Sequence, residues 1–165
     1  MEGKKFRAVP VPLWNSMIKG MGAIPTPVEI SEIMPALMTG LVEGQENPLN
    51  TLIARKMWEA NKYVMMTSHM ESVLAVFVNE EAWQKIPETD RKLMQEAFDE
   101  MGQRSLEWAS GAEAGEIQLL KDNGVTIIDA SSGLDLDAFR EAVGKQIRAD
   151  YPNWGPYLTK IDEIK

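Results

Sequence analysis

The first third of the chain alternates short β-prone runs with segments of helical period, and each helical segment is opened by a proline or a capping residue. That order leaves few folds open. Lys4 to Val9 reads as a strand. Pro12 suits the first turn of a helix carrying Leu13, Trp14, Met17, Ile18 and Met21 at helical spacing, with Gly22 as its stop. Ile24 to Val28 is extended, because Pro25 and Pro27 bias the residues before them away from helix. Ser31 is suited to cap a second helix, with Pro35 in its first turn and Gly40 at its end. Leu41 to Gln45 reads as a third brief strand, and Pro48 opens a third helix holding Leu49, Leu52, Ile53, Met57 and Trp58. The alternation β-α-β-α-β-α predicts a parallel sheet.

Tyr63 to Thr67 and Val73 to Asn79 are strand-like, and the continuous apolar character of the second run suits a strand buried on both faces near the centre of a sheet. A helical unit around Ala82 and Trp83 ends before Pro87. From Thr89 to Asp122 the pattern is helical almost without interruption, stopped by Asn123-Gly124, and at 1.5 Å per residue it spans roughly 50 Å. Gly102, Gly111 and Gly115 weaken this helix and leave room for a bend near Ser110-Gly111. A short strand from Val125 to Ile128 and a helix begun by Asp135 and running to about Asp150 follow. The stretch from Tyr151 to Tyr157 reads as irregular and aromatic, fit to pack on another surface. No repeat or linker interrupts the order. Residues 1–165 are therefore expected to form a single α/β lobe: a central, mostly parallel sheet flanked by helices, plus a long helix and helical C-terminal extension.

Charge and residue usage narrow the function. A formal net charge of -8, with no clustered Lys and Arg, argues against a nucleic-acid partner. No apolar stretch of about 18 residues is present to form a transmembrane helix. The basic start from Met1 to Arg7 leads into two prolines and a tryptophan instead of an apolar run, so no signal peptide is expected in this chain. With no cysteine, disulfides, thiolate metal sites and cysteine nucleophiles are excluded, while the redox compartment stays undetermined. The single histidine, His69, gives no His pair, so no metal site is expected. Glu43 and Glu46 have a spacing that any charged loop supplies and no nucleophile beside them, so no catalytic residues and no enzyme are expected. The 11 methionines recur at helical spacing and read as core filling, not as a cofactor box, so no cofactor is expected.

Six residues remain as candidates for ligand contact, five of them on position alone. Arg7 ends the first strand, at the sheet edge where open α/β folds place ligands, and a guanidinium grips a carboxylate through two parallel hydrogen bonds. Its competing reading is a surface ion pair in a chain with 25 acidic residues. Asn47, at the end of the third strand, offers a donor and an acceptor to the same cleft, and equally suits a helix N-cap. Trp14 either packs on an apolar part of a ligand or belongs to the core. Ser68 and His69 close a strand, where they hydrogen-bond a ligand or satisfy buried backbone groups.

Lys5-Phe6-Arg7, Ala23-Ile24-Pro25-Thr26-Pro27, Ser31-Glu32, Ala36-Leu37 and above all Val42-Glu43-Gly44-Gln45-Glu46-Asn47-Pro48 resemble the solute receptors of tripartite ATP-independent periplasmic (TRAP) transporters, the C4-dicarboxylate-receptor-like family. The similarity continues through Tyr63 to His69, Asn79 to Pro87 and the long helix. It implies a two-lobed clamp that closes on a small organic acid and delivers it, in the periplasm, to the membrane subunits of the transporter. In that setting Arg7 binds the ligand carboxylate, Asn47 touches the ligand, and Ser68 and His69 lie near the hinge. Ile30 falls on an often aromatic pocket position, a departure that removes stacking there. Receptors of this kind are longer, with a signal peptide and a first lobe before the position of Met1, so the chain is expected to hold the second lobe and to lack an assisting arginine from the first. Uncovered apolar faces on the Thr89 to Asp122 helix and the tail then predict a homo-oligomer or a domain-swapped dimer. The alternative function is a fragment that binds no solute and assembles through its long helix.

Overall fold

The computed structural model describes residues 1–70 and 74–164. They divide into two compact units, residues 1–69 with 120 onward, and residues 70–119.

In the first unit, β1 (Lys5–Ala8) runs parallel to β2 (Ile24–Pro27), with Arg7 opposite Thr26. The crossover between them is α1 (Pro12–Gly20), opened by its proline as expected. The helix buries Met17 and Ile18 against Ala8, Met21 and Ala23. Each fully buried side chain of that size is worth about 1.5–3 kcal/mol. Phe139 and Val143 of α6 (Leu136–Asp150) pack on the same cluster. Asp135 caps α6 by accepting a hydrogen bond from the Ala138 N–H at 3.0 Å. Ser16 Oγ ties the two helices by donating to Asp150 Oδ2 at 2.6 Å. They meet so closely at Gly20 that a Cβ there would lie 2.7 Å from the Val143 Cα.

A second parallel pair joins β3 (Tyr63–Met65) to β4 (Thr126–Ile128). Beside it, α2 (Ile33–Met38) and α3 (Leu49–Ala54) contribute Ile33 and Leu52 to a core completed by Met57, Leu120 and Val125. The fold is α/β with parallel sheets flanked by helices, and the described strands form two separate two-stranded sheets. The strand expected over Leu41 to Gln45 contracts to a single parallel bridge, Phe6 with Gly44. There the Arg7 N–H donates to the Gly44 C=O at 2.9 Å and the Glu43 N–H to the Lys5 C=O at 2.8 Å. A Cβ on residue 44 would sit 2.2 Å from Phe6 Cε2, so glycine lets the ring lie against the backbone.

Local boundaries differ from the sequence expectations in four places. Ser31 lies within a 3₁₀ turn, Ile30–Glu32, and does not cap α2. Asn47 does not cap α3; its side chain donates to Gln45 Oε1 at 2.5 Å instead. α3 stops at Ala54, and after Lys56, whose φ is 51°, Met57 and Trp58 continue as a 3₁₀ turn. The tail expected to be irregular folds into a 3₁₀ turn (Pro152–Trp154) and α7 (Gly155–Asp162). Tyr151 stacks on Trp154 with centroids 4.4 Å apart, and Arg148 pairs with Asp162.

The second unit carries α4 (Glu80–Gln84), capped by Asn79 through a hydrogen bond from the Ala82 N–H at 3.1 Å, and most of α5 (Glu88–Asp122). α5 passes Ser110-Gly111 without a break: its glycines face open space, so they cost propensity but meet no obstacle. The strand expected over Val73 to Asn79 is not formed. Val73 lies outside the described residues, and Leu74 to Asn79 take no regular structure, with Leu74 94% and Phe77 90% exposed. A strand meant for burial on both faces needs a ladder on each edge, and no described residue of this unit supplies one.

Overpacking at the α1–α6 contact gives a clean contrast. Gly20→Ala is expected to lower the free energy of unfolding by about 1–3 kcal/mol in urea titrations. Gly144→Ala, in α6 with open space around it, is expected to raise it by about 0.5–1 kcal/mol.

Candidate functional site

The strand order puts Arg7 and the loop after Gly44 at neighbouring strand ends of the first unit. Side chains alternate along β1, so Phe6 turns to one face and Arg7 to the other. Arg7 is only 3% exposed. Its Nε donates to the Val28 C=O at 2.8 Å, and its two Nη groups make no hydrogen bond or ion pair with any described residue. The surface ion pair weighed for it in the sequence is therefore not formed among the described residues. Burial pulls the guanidinium below its ordinary range, and the nearby negative charges of Glu46 and Glu29 oppose that pull.

Glu46 is the hub that sequence spacing passed over. Trp14 Nε1 donates to its Oε1 at 3.0 Å, and His69 Nε2 lies 3.4 Å from its Oε2. His69 Nδ1 is in turn 2.6 Å from Thr67 Oγ1. A proton on His69 Nε2 is the one that donates to Glu46 Oε2. With its side chain 13% exposed, Glu46 feels burial pushing its carboxyl up. The hydrogen bonds from His69 and Trp14 and the charges of His69 and Arg7 outweigh that and hold it below the ordinary carboxylate value. The rule that pointed to Arg7, a loop at the C-terminal edge of parallel strands, applies equally to residue 46. It was the available signal.

The six sequence candidates do not all converge. Trp14 and His69 meet through Glu46, and Arg7 lies within its electrostatic reach. Trp14 also packs on the core around Met17 and Ile18, so both of its readings hold in part. Asn47 and His69 line a cavity of about 570 Å³ together with Glu46 and Thr67, whereas Arg7, Trp14, Ile30 and Ser68 do not. Ile30, 43% exposed, begins a 3₁₀ turn, and Ser68 is exposed with a φ of 45°. Among the described residues no group of three or more His, Asp or Glu is arranged to hold a metal ion.

The depressed carboxyl of Glu46 gives a pH signature. A group whose pKa is lower folded than unfolded stabilises the fold above its unfolded value, near 4.5, and that stability is lost as pH falls through the folded value. Glu46→Gln is expected to cost about 1–3 kcal/mol at pH 7. Urea midpoints measured from neutral pH down into the acid range should then fall less steeply for the variant than for the unsubstituted chain.

Residues 1–151 match the model of the bacterial extracellular solute-binding protein family 7. The chain is 36% identical over 141 residues to the sialic acid-binding periplasmic protein SiaP of Vibrio cholerae, covering 85% of this chain and 43% of that protein. It is 29% identical over 170 residues to the 2,3-diketo-L-gulonate-binding periplasmic protein YiaO of Escherichia coli, covering 100% of this chain and 51% of that one. The structure of a TRAP periplasmic solute-binding protein from Actinobacillus succinogenes with bound L-galactonate superposes with a TM-score of 0.82 at 29% identity, over 93% of this chain and 49% of that one. The chain spans about half the length of the relatives it matches. It belongs to the bacterial extracellular solute-binding protein family 7.

Proposed function

We propose that this chain is the carboxylate-gripping lobe of a periplasmic receptor that binds a small organic acid and hands it to the membrane subunits of a TRAP-type transporter. It corresponds to the second half of a two-lobed clamp and carries no enzymatic activity. The observation that carries this reading is Arg7. A guanidinium this buried without an ion-pair partner is costly, and it is retained where a ligand supplies the counter-charge. The bond from Nε to Val28 fixes the plane of the group and leaves the Nη pair for two parallel hydrogen bonds to a carboxylate.

Relatives whose names specify sialic acid and 2,3-diketo-L-gulonate, and a structural neighbour with bound L-galactonate, support an acid as the solute class. C4-dicarboxylates belong to the same class, and a relative from Rhodobacter capsulatus is named for them. Asn47 is proposed to complete the grip by turning its amide from Gln45 to the ligand. Trp14, Ile30, Ser68 and His69 are proposed as further contacts, with Glu46 setting the positions of the Trp14 and His69 rings. The isoleucine at position 30 offers apolar contact without stacking.

Thermal unfolding against a panel of sialic acid, sugar acids, keto acids and C4-dicarboxylates tests the reading. At least one acid is expected to raise the melting temperature by binding the folded state. Arg7→Ala should weaken that acid by about 30-fold or more, since truncating one partner of a buried charge pair costs about 2–5 kcal/mol. No shift across the panel, or a shift unchanged in Arg7→Ala, contradicts it and favours the fragment that only assembles.

A further inference from the structure

Glu46 lies close to a cation whose free donors it does not use. Its Oε1 accepts from Trp14 Nε1 at 3.0 Å, and its Oε2 lies 3.4 Å from His69 Nε2. Both partners are themselves fixed. Trp14, in α1, packs on the core around Met17 and Ile18. His69 Nδ1 lies 2.6 Å from Thr67 Oγ1, and the Thr67 N–H donates to the Met65 C=O at 2.9 Å, which ties this segment to the end of β3. The carboxylate is thus held between two elements that meet only through it.

A carboxylate whose side chain is 13% exposed has little water to turn to, so its oxygens depend on donors from the protein. The two Nη groups of Arg7 are such donors. They belong to a side chain that is 3% exposed, and only its Nε is committed, to the Val28 C=O. Arg7 and Glu46 feel each other's charge, yet among the described residues no ion pair joins them. Direct contact would be short and charge-assisted, with both Nη groups available to it. Glu29, the other carboxylate near Arg7, is exposed, and water stabilises its charge where it stands. Glu46 has no such alternative. Its side chain has other staggered rotamers, so what keeps the carboxylate off Arg7 is its own pair of donors.

We infer that Trp14 and His69, with Thr67 positioning the His69 ring, tether Glu46 and prevent it from closing onto the Arg7 Nη groups as an internal competitor of the solute carboxylate. The inference rests on the reading of Arg7 as a carboxylate grip. It makes Thr67 a positioning residue and gives Trp14 and His69 a task separate from touching the solute. It also defines a self-occupied form of the site, with Glu46 on Arg7 and the solute carboxylate excluded. An internal carboxylate competes at high effective concentration, and the apparent affinity falls with the fraction of molecules left competent.

Trp14→Phe combined with His69→Phe keeps a ring at each position and deletes both donors. A crystal structure of the full chain with this pair is expected to show a Glu46 oxygen about 2.7–2.9 Å from an Arg7 Nη. Calorimetric titration with L-galactonate then separates competition from lost contact. The pair should weaken binding by about 10-fold or more, and adding Glu46→Gln should recover most of that loss, because a neutral amide does not compete with a carboxylate. Thr67→Val removes a hydroxyl and retains the shape. It should shift Glu46 in the same direction with a smaller, equally recoverable loss, and it replaces the pair if the pair does not fold. Glu46 staying off Arg7 in the untethered chain overturns the inference, as does a loss that Glu46→Gln does not recover. An unsubstituted chain that takes up no L-galactonate counts against the solute reading, and the position of Glu46 then decides the tether by itself.

Discussion

The packing of the first unit depends on how β1 is held. Four residues long, it pairs with β2 on one edge and meets Gly44 on the other, and both contacts fix the same register. That register sends Phe6 toward the cavity and Arg7 to the opposite face, where Val28 receives its Nε. A slip of one residue would exchange them, putting a guanidinium among apolar side chains and exposing the ring. Gly44 guards against the slip, because Phe6 lies where any Cβ at that position would stand. The placement of Arg7 therefore follows from an apolar contact on the reverse side of its own strand.

Around that strand the polar groups are arranged by burial. Glu46 stays ionised in a largely enclosed position because an indole N–H and an imidazole N–H hold its two oxygens, and its charge helps Arg7 bear desolvation. At longer range the two carboxylates near Arg7 lower the cost of its charge without occupying its Nη groups. An arrangement of that kind keeps a cation buried and open to a ligand anion, which a direct ion pair would block. The chain that carries this geometry belongs to the bacterial extracellular solute-binding protein family 7.

Much of the fold was legible in the sequence, and the parts that were not have a common cause. Pro12, Asp135 and the period of Met17, Ile18 and Met21 act within a few residues, and each sits in its element as expected. The long helix was also readable, and the weak points at Gly102, Gly111 and Gly115 do not interrupt it. The aromatic tail folds because Tyr151 stacks on Trp154 and Arg148 reaches Asp162, contacts that composition alone does not reveal. Leu74 to Asn79 has the composition of a central strand, but composition does not supply neighbours for its edges. The same distinction governs the site. Arg7 and Asn47 stood out by residue type and position; the same position rule reached Glu46, but its role as a meeting point showed only in the contacts of Trp14 and His69, distant in sequence.

The central claim is that the free face of Arg7 is a carboxylate receptor. A crystal structure of the chain with the acid that most raises its melting temperature tests this most directly. The account predicts a ligand carboxylate bridging the two Nη groups at about 2.7–2.9 Å while Nε keeps its bond to Val28. A ligand carboxylate bound elsewhere, with the Nη groups taken up by Glu46 or Glu29, would contradict it.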